Sequence, residues 1–306
     1  MIFNNFVVTE DDAGIRIDKY LAEANPEMSR SRISKLIDDG FISVNGATIM
    51  KSNYKVNEDD VILLEIPDAV EPSIDAEDIP LDILYEDDDV IVINKPKGLV
   101  VHPAPGHYTG TLVNALMYHC KGNLSGINGI MRPGIVHRID KDTTGVIVAC
   151  KNDVAHNSLA SQLKVHSITR KYEAIVYNVI KEDEGTVNAP IGRSNIDRKK
   201  MAINYSNGRD AITHFKVIER FKNYSYIECK LETGRTHQIR VHMSSRNNPL
   251  LGDEVYGPKK CPYNLEGQVL HARILGFRHP RTGEYMEFEA PLPEYFTNLL
   301  QLLKNK

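Results

Sequence analysis

His137-Arg138-Ile139-Asp140-Lys141-Asp142-Thr143-Thr144-Gly145 runs directly into Val146-Ile147-Val148-Ala149-Cys150. The second part is a short apolar, β-branched run of the kind that forms a buried strand. Upstream, the stretch Gly129 to Gly134 (Gly-Ile-Met-Arg-Pro-Gly) is punctuated by glycine and proline and reads as a turn. The polar stretch is therefore a loop that carries a carboxylate, flanked by cations, to the end of a buried strand. Scaffolds tend to place reactive groups at such points. Acidic residues beside basic ones are more often solvated surface, so the surroundings must decide.

The chain has 306 residues, 42% of them hydrophobic and 25% charged, which is ordinary for a globular protein with one large domain and a small one. No apolar run approaches the ~18 residues of a membrane span. The start, Met1 to Phe6, leads into acidic residues without the order of a signal peptide. The cysteines at 120, 150, 229 and 261 form no C-x-x-C pair, so neither a zinc site nor a disulfide framework is predicted. A reducing, cytoplasmic setting is expected. The 11 histidines fall in no H-E-x-x-H or H-x-E…C-x-x-C pattern, and no metal is expected. The net charge of −4 does not exclude RNA, because a binding footprint depends on where charge lies.

Working outward toward the N-terminus, Gly14 to Leu21 predicts the start of a helix. A second is predicted after Ser29 as N-cap, with Ile33, Leu36 and Ile37 as its buried stripe and Gly40 as its stop. Arg30, Arg32 and Lys35 lie off that stripe. Phe41-Ile42-Ser43-Val44, the hairpin signal Asn45-Gly46 and Val61 to Ile66 predict strands. These elements make a small domain over residues 1–66. Residues 67–80 are rich in Asp and Glu, lack Lys and Arg and hold prolines at both ends, so they read as a stiff linker too acidic to pack.

The large domain, 81–306, opens with strands at Leu81 to Tyr85 and Val90 to Ile93. Asn94-Lys95-Pro96-Lys97-Gly98-Leu99 follows, a structural turn with Lys95 as a weaker candidate for phosphate. Helices are predicted from Thr111 to His119 and from Asp153, as N-cap, to Lys164 with Leu159 and Leu163 buried. Arg170 to Tyr177 and Tyr224 to Leu231 alternate as half-buried strands. Arg193 and Arg198-Lys199-Lys200 lie in a polar hairpin-like stretch, either solvated or a clamp on RNA. In Thr233-Gly234-Arg235-Thr236-His237-Gln238-Ile239-Arg240-Val241-His242, Thr236 is the predicted helix cap, which puts His237 and Arg240 on one face. Tyr295 to Leu303 is a scaffold helix.

The H-R-I-D-K-D-T-T-G stretch resembles the HRLDxxTSG signature of the RluA/RluD-type pseudouridine synthases, with Ile139 for Leu and Thr144 for Ser. Protein kinases carry H-R-D-L, but here Ile139 separates Arg from Asp, and no Gly-rich phosphate loop or D-F-G accompanies it. N-K-P-x-G-L…H-P, R-K-Y and T-G-R-T-H-Q-I-R-V-H match further motifs of the family in order. Residues 14 to 66 (R-I-D-K-Y-L, S-R-S-R-I-x-K-L-I, G-x-I-x-V-N-G) resemble the S4-like RNA-binding domain.

The resemblance implies an α+β protein: a small αα-hairpin-plus-β domain, then a catalytic domain with a largely antiparallel mixed sheet and central basic cleft. It implies isomerisation of uridine to pseudouridine without cofactor or metal. Asp140 would be the catalytic carboxylate, Tyr172 the ring that stacks on the target base, and Arg240 the partner of Asp140. Arg138 would enter the space the base leaves, and Leu270 would wall the uracil pocket. Arg235 and His237 would meet RNA. Arg30, Arg32, Lys35, Asn45 and Lys51 would meet phosphates, which give affinity rather than sequence choice. The expected partner is RNA, 23S-type large-subunit rRNA, with the protein a monomer and no membrane involved. Two rivals are an inert RNA-binding or ribosome-assembly factor and a metal-dependent RNA hydrolase. Intact Asp140, Tyr172 and Arg240 speak against the first, and the lack of clustered metal ligands against the second.

Overall fold

The computed structural model describes residues 2–67, 74–104, 106–129, 132–197 and 200–305. It divides into two compact units, 1–71 and 72–306.

In the first unit, β1 (Ile2–Val7), α1 (Ile17–Ala24), α2 (Arg30–Asp38), β2 (Ile42–Val44), β3 (Ala47–Thr48) and β4 (Val61–Ile66) follow in order. The strands form one sheet, β1-β4-β2-β3. Ser29 caps α2 by accepting the Arg32 N–H at 3.3 Å. Ile33, Leu36 and Ile37 are buried against Ile17, Leu21, Ile42 and Leu64. Each such side chain contributes roughly 1.5–3 kcal/mol on burial. Asn45 and Gly46 both have positive φ, 50° and 83°, as a two-residue hairpin turn requires.

The second unit is built on a nine-stranded sheet. Its elements are β5 (Ile83–Glu86), β6 (Val90–Lys95), α3 (Leu112–His119), β7 (Thr144–Cys150), α4 (Asp153–Lys164), β8 (Thr169–Tyr177) and β9 (Glu184–Asn188). Then come β10 (Ile191–Arg193), β11 (Met201–Ile203), β12 (Ile212–Arg220), β13 (Tyr224–Leu231), α5 (Gln238–Ser245), β14 (Leu270–Arg278), β15 (Tyr285–Glu289) and α6 (Glu294–Lys304). The strand order is β5-β6-β7-β14-β8-β13-β12-β9, with β15 on β14 and β10-β11 as a separate ribbon. Among these strands β7 and β14 pair in parallel and their neighbours antiparallel, so the sheet is mixed as expected. No helix among the described residues is long and apolar enough to cross a membrane.

Four local expectations need correction. Residues 74–80 are not a free linker. Asn114 donates to the Asp75 carbonyl at 2.8 Å, the Gly110 N–H donates to the Glu77 carboxylate at 2.9 Å, and Ile74 packs on the core. The Asp75 main chain and the Glu77 carboxylate thus tie this stretch into the second unit; residues 68–73 lie outside the described residues. The cap of α4 is Asn152, whose side chain accepts the Ala155 N–H at 2.9 Å, while Asp153 instead accepts from Ser125 at 2.6 Å. Leu163 is only half-buried, because its end of α4 faces a groove. Thr236 does not cap α5: the cap position is His237, at φ +56°, and the Gln238 side chain accepts from Thr233 and the Arg235 N–H.

The parallel contact of β7 with β14 explains one letter of the opening stretch. Gly145 has φ +107°, and a Cβ there would lie 2.1 Å from the Ala272 carbonyl oxygen. Gly145→Ala is therefore expected to cost about 3 kcal/mol or more, since both the backbone angle and the space oppose it. A melting temperature within error of wild type would show that β14 shifts freely, against the close register seen here.

Candidate active site

Asp140 sits on the loop four residues before β7, and the cavity it lines also takes Tyr172 from β8, Leu231 from β13 and Leu270 from β14. Its own carbonyl accepts the Thr143 N–H at 3.1 Å, so the Asp140 loop closes as a tight turn. On the adjoining strands Tyr172 lies opposite Ala272, and Leu270, the first residue of β14, opposite Ala174. Tyr172 and Leu270 are 8% and 4% exposed, and with Asp140 and Arg240 they line one cavity of about 50 Å³. The sheet order thus brings together side chains that are far apart in sequence.

Arg240 donates from Nη1 to Asp140 at 2.9 Å. On its other edge it donates from Nε and Nη2 to the two carboxylate oxygens of Asp253, at 2.7 and 2.9 Å. The Asp253 side chain is wholly buried and also accepts the N–H groups of Val255 and Tyr256 at 2.9 and 3.0 Å. Burial alone would push the Arg240 pKa down, but Asp253 and Asp140 outweigh it and raise it. One guanidinium thus joins a buried anchor to the half-exposed carboxylate that faces the cavity. Asp253 and Arg240 are too far apart for helical spacing to reveal their pairing.

His237 places Nε2 3.7 Å from the other oxygen of Asp140, and its Nδ1 is 2.9 Å from the Tyr256 hydroxyl. It is not on the α5 face with Arg240, as predicted. Its left-handed backbone turns it back toward the same carboxylate. Burial lowers its pKa, against the pull of Asp140. Burial raises the Tyr172 pKa, helped by Asp140 and opposed by Arg170, so its hydroxyl keeps its proton at neutral pH.

Arg138 is exposed and donates to His102 Nε2 at 3.2 Å. Burial, then Arg138 and Arg132, push the His102 pKa down to about 4, which leaves it a neutral acceptor. Arg235 lines the cavity and donates to the Asp210 carbonyl at 2.9 Å. Lys95 is fully buried and donates to the carbonyls of Pro96, Leu99 and Lys141 at 2.8, 2.9 and 2.9 Å. Burial pushes its pKa down to about 7, against Asp142 and Asp140, and the three acceptors hold the ammonium form. Lys95 thus ties the residue after Asp140 to the core, the structural role predicted for its turn.

Within the first unit, Arg30 is committed to Asp18, at 2.9 Å, with Arg16 on the same carboxylate. Asn45 donates to Asp60 at 2.8 Å and accepts the Val61 N–H at 2.9 Å, so its amide locks the hairpin. Arg32, Lys35 and Lys51 are exposed and make no ion pair with another described residue. Lys200 donates to the Val255 carbonyl at 3.0 Å, while Arg198 and Lys199 lie outside the described residues.

Comparison with known proteins identifies the family. Residues 89–245 match the family model described as RNA pseudouridylate synthase, and residues 15–62 match the S4 domain. An uncharacterized RNA pseudouridine synthase of Bacillus subtilis (strain 168) is 52% identical, with 98% of each chain covered. The ribosomal large subunit pseudouridine synthase D of Zymomonas mobilis is 47% identical, covering 97% of this chain and 96% of its own. Among solved structures, human RNA pseudouridylate synthase domain containing 1 superposes with a TM-score of 0.57 at 25% identity, over 76% of this chain and 97% of that one.

Proposed function

This chain belongs to the RluD-type RNA pseudouridine synthases with an N-terminal S4 domain, and we propose that it acts on 23S-type large-subunit rRNA through the Asp140 cavity. It is an isomerase that converts uridine to pseudouridine in RNA, and its S4 unit binds RNA. The choice of ribosomal RNA is supported by relatives named as large-subunit enzymes, at 43–47% identity over at least 95% of this chain. The observation that carries the catalytic assignment is Arg240 strung between Asp253 and Asp140 in a cavity walled by Tyr172 and Leu270.

In this reaction the bond from uracil N1 to the anomeric carbon breaks and one from carbon five forms. The proton on carbon five is lost and N1 gains one, so atoms balance without any co-reactant. Attack at the anomeric carbon and abstraction of a ribose proton both need an ionised Asp140. Arg240 meets that carboxylate with a charge-assisted hydrogen bond at 2.9 Å and holds it in place. Extruding the base from its stack costs a few kcal/mol. Stacking on Tyr172, worth roughly 1–3 kcal/mol, offsets part of this. Arg138 leaves His102 to fill the vacated stack, while Leu270 closes the apolar side of the pocket and Arg235 and His237 meet the RNA near it.

All of these groups come from one chain, which supports a monomer as the working unit. The cysteines at 120, 150, 229 and 261 are all free, which supports a reducing, cytoplasmic setting. Incubating the chain with large-subunit rRNA in EDTA, then mapping pseudouridines by chemical primer extension, tests the reading. Isomerised uridines at discrete positions are expected. Unchanged RNA would instead mean an inert binding factor, and fragments formed only with added metal a hydrolase.

Arg32, Lys35 and Lys51 are the S4-unit residues proposed for phosphates, because Arg30 and Asn45 are already engaged. Removing residues 1–71 is expected to leave a folded, active remainder that binds RNA less tightly and with a shallower salt dependence. Each lost phosphate contact removes about 0.7 from the log–log slope on single strands. An unchanged slope after truncation would take these residues off the RNA.

A further inference from the structure

We infer that the groove beside the catalytic cavity binds a phosphodiester flanking the target uridine, with Arg170 as its anchor and Arg235, Lys164 and His166 around it. The inference rests on the reading that uridine enters the Asp140 cavity. The groove, about 440 Å³, leads from Asp140 and Tyr172 past Arg235 to Lys164 and His166 at the end of α4.

Arg170 is the unusual member. It lies two residues before Tyr172 on β8, so both point to one face of the sheet. It is 6% exposed and donates from Nη2 to the Glu232 carbonyl at 2.7 Å, while its Nε is buried without a partner. No carboxylate among the described residues pairs with it. The Glu232 carboxylate is instead 2.6 Å from His214, and Asp140, the groove's acidic member, is engaged by Arg240. Buried charges are normally paired, because desolvating one alone is costly. Here the neighbouring charge is a second cation, Arg235, which together with burial lowers the Arg170 pKa.

The surroundings fit an anion. A Cβ at Gly234 would lie 2.5 Å from Arg170 Nη1, so glycine there leaves the guanidinium its room. His137 accepts the Val148 N–H on Nε2 at 3.2 Å, which leaves its proton on Nδ1. It is neutral and therefore adds no competing charge. Lys164 and His166 are exposed at the mouth of the groove. A cation such as Lys164 suits a helix C-terminus in any case, but that explanation does not reach Arg170 inside the sheet. The substrate supplies the missing counter-ion: a nucleotide whose base lies on Tyr172 carries its own phosphates within reach of the next inward side chain of β8.

The test measures binding of an rRNA transcript to the full chain against KCl concentration, with kcat, KM and melting temperature for each variant. Arg170→Met is expected to raise KM by roughly tenfold or more with kcat retained, and to shorten the log–log salt slope by about 0.7. Arg170→Lys should restore most of the slope. A folded Arg170→Met with the wild-type slope, or with kcat lowered at unchanged KM, overturns the inference; in the latter case Arg170 serves to hold Tyr172. If Arg170→Met does not fold, the exposed pair Lys164→Ala with His166→Ala decides: a shorter slope supports the subsite and a wild-type slope overturns it. Wild-type protein that binds rRNA but isomerises no uridine would instead overturn the functional reading, with the slopes still measurable.

Discussion

Asp140→Asn is expected to bind ribosomal RNA with near wild-type affinity and to form no measurable pseudouridine. The amide preserves the volume of the side chain but is neither a useful nucleophile nor a base. The loss therefore falls on kcat, by roughly 10⁴ or more, as when a member of a catalytic unit is removed. Affinity rests on dispersed phosphate contacts that this change leaves in place. The fold should tolerate it. Arg240 keeps both contacts to Asp253, and the Asp140 side chain is 19% exposed. The cost should thus be about 1 kcal/mol, below the roughly 3–5 kcal/mol of a fully buried pair. Melting temperature measured beside turnover separates lost chemistry from unfolding. Near wild-type conversion by a folded Asp140→Asn would remove Asp140 from the mechanism.

Asp253→Asn should strike both stability and rate. Its carboxylate is wholly buried and meets Arg240 with two oxygens, so the neutral amide leaves a buried guanidinium half-compensated, at a cost of about 3–5 kcal/mol. Arg240 would also be released from the position that aims Nη1 at Asp140. A displacement of about 1 Å at a reacting centre costs on the order of 10²-fold in rate. Lower kcat with unchanged KM is the expected signature, because Asp253 itself lies behind Arg240. A variant with reduced melting temperature but wild-type kcat at permissive temperature would make Asp253 a fold element alone.

What could be read from the sequence followed local rules. The stripe Ile33, Leu36, Ile37 and the Asn45-Gly46 turn need only neighbours in sequence, and both are where the pattern puts them. The loop from His137 into a buried strand was legible for the same reason, and the resemblance supplied the pairing of Asp140 with Arg240. What escaped depends on partners brought close only by the sheet. Asp253 looks like one more acidic residue until Arg240 reaches it. Arg170 reads as strand punctuation until its missing counter-ion is noticed. Asp75 and Glu77 looked like solvated linker because nothing local announces Asn114 and the Gly110 N–H as their donors. Single-residue errors at Asn152 and His237 have a different origin: adjacent polar residues compete for a cap, and the backbone angle decides.

The parallel pairing of β7 with β14 also sets a timetable for a chain leaving the ribosome. Residues 1–71 can close their own core early, since every strand of that sheet comes from within the unit. The catalytic floor cannot. Thr144 waits for His271, and Tyr172 waits for Ala272, across more than a hundred intervening residues in the first case. Contacts this distant in sequence form slowly, because loop closure precedes their reward. A nascent chain that has emerged through residue 250 already carries Asp140, Tyr172 and Arg240, yet lacks both Asp253 and the strand that seats the others. The RNA-binding unit can therefore be finished well before Asp253 and β14 arrive to complete the catalytic floor.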